Sequence, residues 1–232
     1  MQQEHQGVAQ AVDSVPLFSS LDEAQKRLVA QWAVIKTIGG GEQLFGGKGV
    51  SKGLHVLLSG RIKLFKASED GKEQTIYLFG PGEVFCLCSV FSDEHLPANM
   101  TALETSQVLT LAPKHFEQLA MEDPMLLLRL LRVMSRRLKE AMELIDALSL
   151  KQIPSRLAAY FLSHARSGRV CLGITHKEFA KIIGVTPEAL SRNLGKMARK
   201  GVIELEGNEI AILDEMQLQE CRDGVWERGG AD

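Results

Sequence analysis

No run in the 232-residue sequence approaches 18 consecutive apolar residues, so nothing in it reads as a membrane span. Cysteine is scarce. The four present form neither a disulfide framework nor a zinc-ligand spacing. The first is Cys86, so no cysteine cluster stands near the start. The opening MQQEHQGVAQ lacks an apolar stretch, and a secretory signal is not expected. The cytoplasm is therefore the expected location, where free thiols stay reduced. Charge of one sign is also lacking: 27 Lys and Arg face 29 Asp and Glu, a net −2. The chain as a whole does not advertise a polyanionic partner. No acid, base and nucleophile set forms a recognisable motif, so catalysis is not expected. No internal repeat or low-complexity tract appears.

What is there is unevenly spread. Between residues 154 and 203 nine Lys and Arg stand against two Glu, a local +7 in an otherwise acidic chain. Such asymmetry suggests nucleic-acid contact by one module. Residues 21–35, LDEAQKRLVAQWAVI, read as a short amphipathic helix. From about 37 to 112 the texture is short apolar runs between glycine-containing breaks. Leu54, Val56 and Leu58 alternate, as do Ile62 and Leu64, which points to a compact β-roll or barrel. In SEDGKEQ, Asp70-Gly71 suits a hairpin turn.

Asp123 can cap the next helix and Pro124 fits its first position. Within it Leu127, Leu131, Met134, Leu138, Ala141, Ile145 and Leu148 are spaced 4, 3, 4, 3, 4, 3. That is an unbroken heptad seam. It fits a helix packed on its own domain, or a homodimeric coiled coil, or both, with one edge on the roll and the seam on a partner. The length, more than one small domain needs, favours the dimer. Pro154 is expected to break the helix, and a second helical module follows, opening with a helix over 155–165.

The strongest motif is THKEFAKIIGVTPEALSRNLGKMARKGVI, residues 175–203. Thr175 and Glu178 suit a capping box, and Gly184 can end that first helix in the left-handed conformation. Thr186 and Pro187 open a second helix, whose buried face is Leu190, Leu194 and Met197. Gly201 closes it. Two short helices around a glycine turn make a helix-turn-helix, and VIELEGNEIAIL supplies a hairpin wing around Gly207-Asn208. Opposite the buried stripe lie Glu188, Ser191, Arg192 and Lys196. Arg matches guanine O6 and N7, Glu accepts from cytosine N4, and Ser is versatile. Lys196, Arg199 and Lys200 suit phosphates. Thr175 and Thr186 complete the expected DNA-facing set.

In the order β-roll, long heptad helix and winged helix-turn-helix, the chain resembles the CRP/FNR family of bacterial transcription regulators over nearly its whole length. The resemblance rests on PLFSSL at 16–21, LLSGRIKL at 57–64, GPGEVF at 80–85 and GVTPEALSRNLGKMARKGVI at 184–203. It implies an α+β protein with three parts: a cyclic-nucleotide-binding-like roll over residues 1–123, a dimerisation helix over 124–150, and a winged helix-turn-helix over 151–232. It further implies a homodimer on palindromic double-stranded DNA that contacts RNA polymerase and answers a small effector. Members with Glu-x-x-Ser-Arg on the reading helix favour TTGA-type half-sites, and here that pattern is Glu188-x-x-Ser191-Arg192. Cyclic-AMP receptors carry an arginine just before this Glu; Pro187 stands there.

The signal is less legible. The family's nucleotide binders use a Gly-Glu pair for ribose and an Arg-Ser or Arg-Thr pair for phosphate. Cys86-Leu87 stands where the first pair belongs, and no arginine occurs between residues 66 and 122. Without it the phosphate charge would enter a partly buried site unpaired, so cyclic AMP is disfavoured. The oxygen-sensing subgroup needs a clustered N-terminal cysteine set, which is absent, so its iron–sulfur cluster is not expected. GEVFCLCS resembles the GDMFCMHS of CooA, a CO-sensing haem regulator, with Cys86 on the cysteine ligand and Cys88 on the histidine. The NO-responsive DNR-like and HcpR-like regulators, also linked to haem, share Pro-Glu-x-x-Ser-Arg and the SLK at 149–151. Haem is thus one reading, with Cys86, Cys88 and His95 as candidates and His5 and His55 as further histidines. Core packing with another small effector is a second reading, and redox thiols a third. Cys171 and Cys221 read as structural or incidental.

Overall fold

The computed structural model describes residues 2–44, 52–85, 91 and 98–225, with side chains from residue 8 onward. The chain divides into two compact units, Met1–Leu138 and Lys139–Asp232.

In the first unit, helix α1 spans Gln2–Ser14, where no element was expected. Its Val12 is buried, as is Val15 just after it, with Val8 packed behind them. A 3-10 turn at Pro16–Phe18 follows. Helix α2, Glu23–Trp32, is shorter than the expected 21–35. Asp22 caps it in a reciprocal box with Gln25, and the β-branched Val34 and Ile35 leave it to pair as strand β1 (Val34–Ile38).

Six more strands are described here: β2 (Leu54–Ser59), β3 (Ile62–Ala67), β4 (Glu73–Phe79), β5 (Val84–Phe85), β6 (Asn99–Ala102) and β7 (Ser106–Leu111). They form two antiparallel sheets, ordered β1-β7-β2-β5 and β4-β3-β6. One core, with Leu57, Ile62, Phe79, Phe85 and Val108, lies between them. The other, with Leu54, Val56, Leu109, Phe116 and Leu126, lies between the first sheet and the helices. Both faces of that sheet are therefore covered. This explains why β2 is buried from Leu54 through Leu57, His55 included, rather than alternating.

Turns follow the sequence closely. Ser68–Lys72 closes the β3–β4 hairpin, with Gly71 at φ 82° as expected. Gly60 (φ 89°) joins β2 to β3 so tightly that a Cβ there would lie 2.7 Å from the Ser106 backbone.

Helix α3 (Pro113–Glu122) leads into α4 (Pro124–Leu150). Asp123 caps α4 by accepting from the Met125 N–H at 3.0 Å, and it also accepts from Ser20 Oγ at 2.9 Å. Leu126 and Leu130 are buried in the first unit. The heptad line is not: Leu131, Leu138 and Ile145 are 59%, 65% and 64% exposed.

In the second unit, α5 spans Ile153–His164. The helix break falls at residues 151–152, and Pro154 sits in the first turn of α5, where its missing N–H costs nothing. Strand β8 (Arg169–Cys171), unforeseen at three residues, pairs with the wing hairpin of β9 (Ile203–Glu206) and β10 (Glu209–Ile212) in the order β8-β10-β9. Between them in sequence lie α6 (His176–Ile183) and α7 (Pro187–Arg199), and α8 (Glu215–Arg222) packs on α5. No helix among the described residues is long and apolar enough to cross a membrane.

Candidate nucleic-acid interface

The α6–α7 unit is built from local signals. Thr175 Oγ1 accepts from the Glu178 N–H at 3.2 Å and starts α6, while the Glu178 carboxylate binds Lys181 at 2.8 Å. Gly184 stops α6 at φ 76°, ψ 39°, a conformation that a Cβ would oppose. Thr186 Oγ1 accepts from the Ala189 N–H at 3.3 Å, and Pro187 opens α7. Phe179, Ala180 and Ile183 of α6 are buried, as are Leu190, Leu194 and Met197 of α7. Their burial fixes α7 by one face and turns the other outward.

That outward face carries the expected residues. Glu188 stands in the first turn, within the electrostatic reach of Arg192. Ser191, Arg192, Lys196 and Arg199 line one shallow cleft of about 580 Å³, together with Asn193 and Gly195. Gly195 was not singled out in the sequence. Its spacing from Ser191, Arg192 and Arg199 already put it on the same stripe, and a bare Cα there keeps the surface low beside the Arg199 guanidinium. The Glu188 carboxyl is held below the usual carboxylate range, first by its own backbone N–H, then by the Thr186 hydroxyl and the Arg192 charge. It is therefore ionised at neutral pH and acts only as an acceptor. Thr175 and Thr186 serve as caps, at the starts of α6 and α7.

Not all of the local +7 reaches this face. Arg169 bonds Glu206 at 2.6 Å and Glu209 at 3.3 Å, across the small sheet. Arg156 is bound to three backbone carbonyls.

In the first unit, the GPGEVF turn is closed internally. The Glu83 carboxylate accepts from the Gly80 N–H and the Tyr77 hydroxyl, both at 2.7 Å. Arg137 of α4 lies over the Tyr77 and Phe79 rings, 5.1 and 4.8 Å from their centroids, and donates to the Val84 carbonyl. Val84 and Phe85 are buried. Cys86, Cys88 and His95 lie outside the described residues, as does the His5 side chain. His55 is a core residue. Its Nδ1 meets Thr110 Oγ1 at 2.9 Å and its ring stacks on Phe85. Among the described residues no group of three or more His, Cys, Asp or Glu gathers as a metal site. Cys221 is buried in the second unit, where its carbonyl accepts from Ser155 Oγ at 2.8 Å; Cys171 is exposed on β8.

Comparison with known proteins agrees with this architecture. The family model for the cyclic nucleotide-binding domain matches residues 35–123, and that for the Crp-like helix-turn-helix domain matches residues 155–221. The fumarate and nitrate reduction regulatory protein of Vibrio cholerae is 31% identical over 193 residues, 80% of this chain and 77% of that protein. The chain belongs to the CRP/FNR family. It is a DNA-binding transcription regulator. The cyclic AMP receptor protein of Thermus thermophilus is 28% identical over 211 residues, 90% of this chain and 98% of that one. A CooA mutant from Carboxydothermus hydrogenoformans, 21% identical, has the same fold, with a TM-score of 0.76 over 89% of this chain and 94% of that one.

The heptad line on α4 has few charged neighbours. The residues beside the heptad line are Leu130, Arg137 and Leu144 on one edge and Leu128, Ser135, Met142 and Ser149 on the other. The single cation among them, Arg137, is turned onto its own roll. Flanking ion pairs, which set partner choice in many coiled coils, have no residues here to form them.

Proposed function

We propose that the chain acts as a homodimer that binds a palindromic TTGA-type site and regulates transcription in response to a small effector. The observation that carries this reading is the outward stripe of α7: Glu188, Ser191, Arg192, Lys196 and Arg199 stand together on a helix whose opposite face is buried. Arg192 reads guanine, Glu188 accepts from the paired cytosine, and Ser191 adds a third polar contact. Lys196, Arg199 and Thr175 hold phosphates, and Thr186 shapes the first turn of α7. Pro187 in place of an arginine removes one guanine contact and favours TTGA over TGTGA.

Dimerisation runs through Leu127, Leu131, Met134, Leu138, Ala141, Ile145 and Leu148. The exposure of Leu127, Leu131, Met134, Leu138 and Ile145 in one chain supports the reading, because a Leu, Ile or Met side chain gains roughly 1.5–3 kcal/mol on full burial. We assign residues 1–123 to effector sensing, 124–150 to dimerisation and 151–232 to DNA binding, with RNA polymerase as the partner on DNA and the cytoplasm as the place of action. The effector enters through the roll, next to GPGEVF. Cyclic AMP is disfavoured by the lack of any arginine between residues 66 and 122. A haem that would take NO or CO is the effector chemistry we assign, with Cys86, Cys88 and His95 as its ligand candidates.

A binding selection on random duplex DNA tests the site: TTGA-type palindromes are expected, and recovery of TGTGA half-sites would contradict the reading of α7. An absorption spectrum of protein expressed with haem tests the effector. A Soret band that shifts with CO or NO is expected, and its absence removes haem.

A further inference from the structure

Arg156 stands in the first turn of α5, inside the basic segment, yet its charge is not offered to DNA. Its three guanidinium nitrogens each donate to a different carbonyl. Nε reaches Lys151 at 2.9 Å, Nη2 reaches Leu148 at 3.1 Å, and Nη1 reaches Ile183 at 3.2 Å. Leu148 belongs to the last turn of α4, Lys151 to the short linker after it, and Ile183 is the final residue of α6. The last four carbonyls of a helix have no partner within it. At the end of α6, both the Gly184 and the Val185 N–H go to the Ala180 carbonyl, so Arg156 supplies a donor that the turn does not give to Ile183. A cation beside two helix C-termini also meets the negative end of each dipole.

We infer that Arg156 is a positioning residue for DNA recognition: it locks the end of the dimer helix to the end of α6, and so sets where α7 stands relative to the seam. Gly184 at the end of α6 is the turn that launches α7, so holding Ile183 holds the start of the reading helix. Only a planar fork of donors can engage three carbonyls in this way; a lysine ammonium is a point donor on a flexible stem. This inference rests on the proposed dimer on a palindromic site.

The test uses the full chain with Arg156→Ala and Arg156→Lys. Fluorescence anisotropy is read on three duplexes: the selected palindrome, the same palindrome with one base pair added to the spacer, and a single half-site. A single half-site needs only a correctly folded helix-turn-helix, whereas spacer selectivity needs α7 fixed to the seam. Both variants are expected to hold half-site affinity within about 2-fold while losing roughly 10-fold of the preference for the native spacer, the size of an ordinary coupling energy. Arg156→Lys keeps the charge and the apolar stem, and it decides the matter where Arg156→Ala does not fold. Unchanged spacer preference in Arg156→Lys would overturn the positioning role. Equal losses on all three duplexes would overturn it too, leaving Arg156 a residue of local fold stability. A wild-type chain that does not prefer the palindrome over the half-site would overturn the dimer reading, and this inference with it.

Discussion

Helices α4 and α7 use the same residue types in opposite ways. On α7 the apolar residues Leu190, Leu194 and Met197 are buried in their own unit, and the charges face out. On α4 Leu126 and Leu130 serve the home core, while the heptad line faces out and its flanks carry a single charge, Arg137, turned onto the roll. A helix anchored by its apolar face presents chemistry for a polar, charged partner. A helix whose apolar line is left over presents surface for a partner of its own kind. The difference teaches that periodicity alone does not assign a face; what the rest of the chain covers does.

The comparison breaks most severely at the seam. The double variant Leu131→Glu and Leu138→Glu places like charges in the interface. It is expected to sediment as a monomer and to lose about 100-fold or more of affinity for the palindrome, the benefit of two linked reading heads. Wild-type dimerisation should be nearly flat with salt, because no flanking ion pairs hold it. On α7, Arg192→Ala is expected to cost about 1–3 kcal/mol on the cognate site and to relax the guanine preference. Anisotropy against single-base variants of the half-site measures both. Arg199→Ala should weaken all sequences alike and lower the salt slope by about 1, as loss of one phosphate contact does. The smallest effect concerns Glu188. Its carboxyl pKa is depressed, so the ionised form persists below the usual carboxylate range and is lost only as pH falls through the lowered value. Discrimination at the cytosine should therefore stay flat from about pH 8 to about pH 6 in the wild type. Glu188→Gln should reduce that discrimination at every pH in the same window.

The helix-turn-helix was legible because its signals are local. Thr175, Gly184, Thr186, Pro187 and Gly201 each specify a cap or a turn within a few residues, and each does so in the structure. The parts that escaped depend on distant partners. Helix α1 reads as polar, and Val8, Val12 and Val15 acquire meaning only from the core they close. Val34 and Ile35 continue the helical pattern of α2 but are claimed by β7. His55 stands between the alternating Leu54 and Val56, and it is buried with them because the sheet is covered on both faces. Strand β8 exists only as a third rung on the wing. Arg156 counted as one of nine cations, and only the fold shows its three carbonyl partners.

The central claim, that α7 reads DNA as part of a dimer, is tested most directly by titrating the full chain against a palindromic TTGA-type duplex at rising salt. The account predicts that log K falls linearly with log salt, by about 0.9 for each phosphate neutralised, and that the palindrome outbinds a scrambled duplex throughout. Salt-insensitive binding, or equal binding to both duplexes, would contradict it.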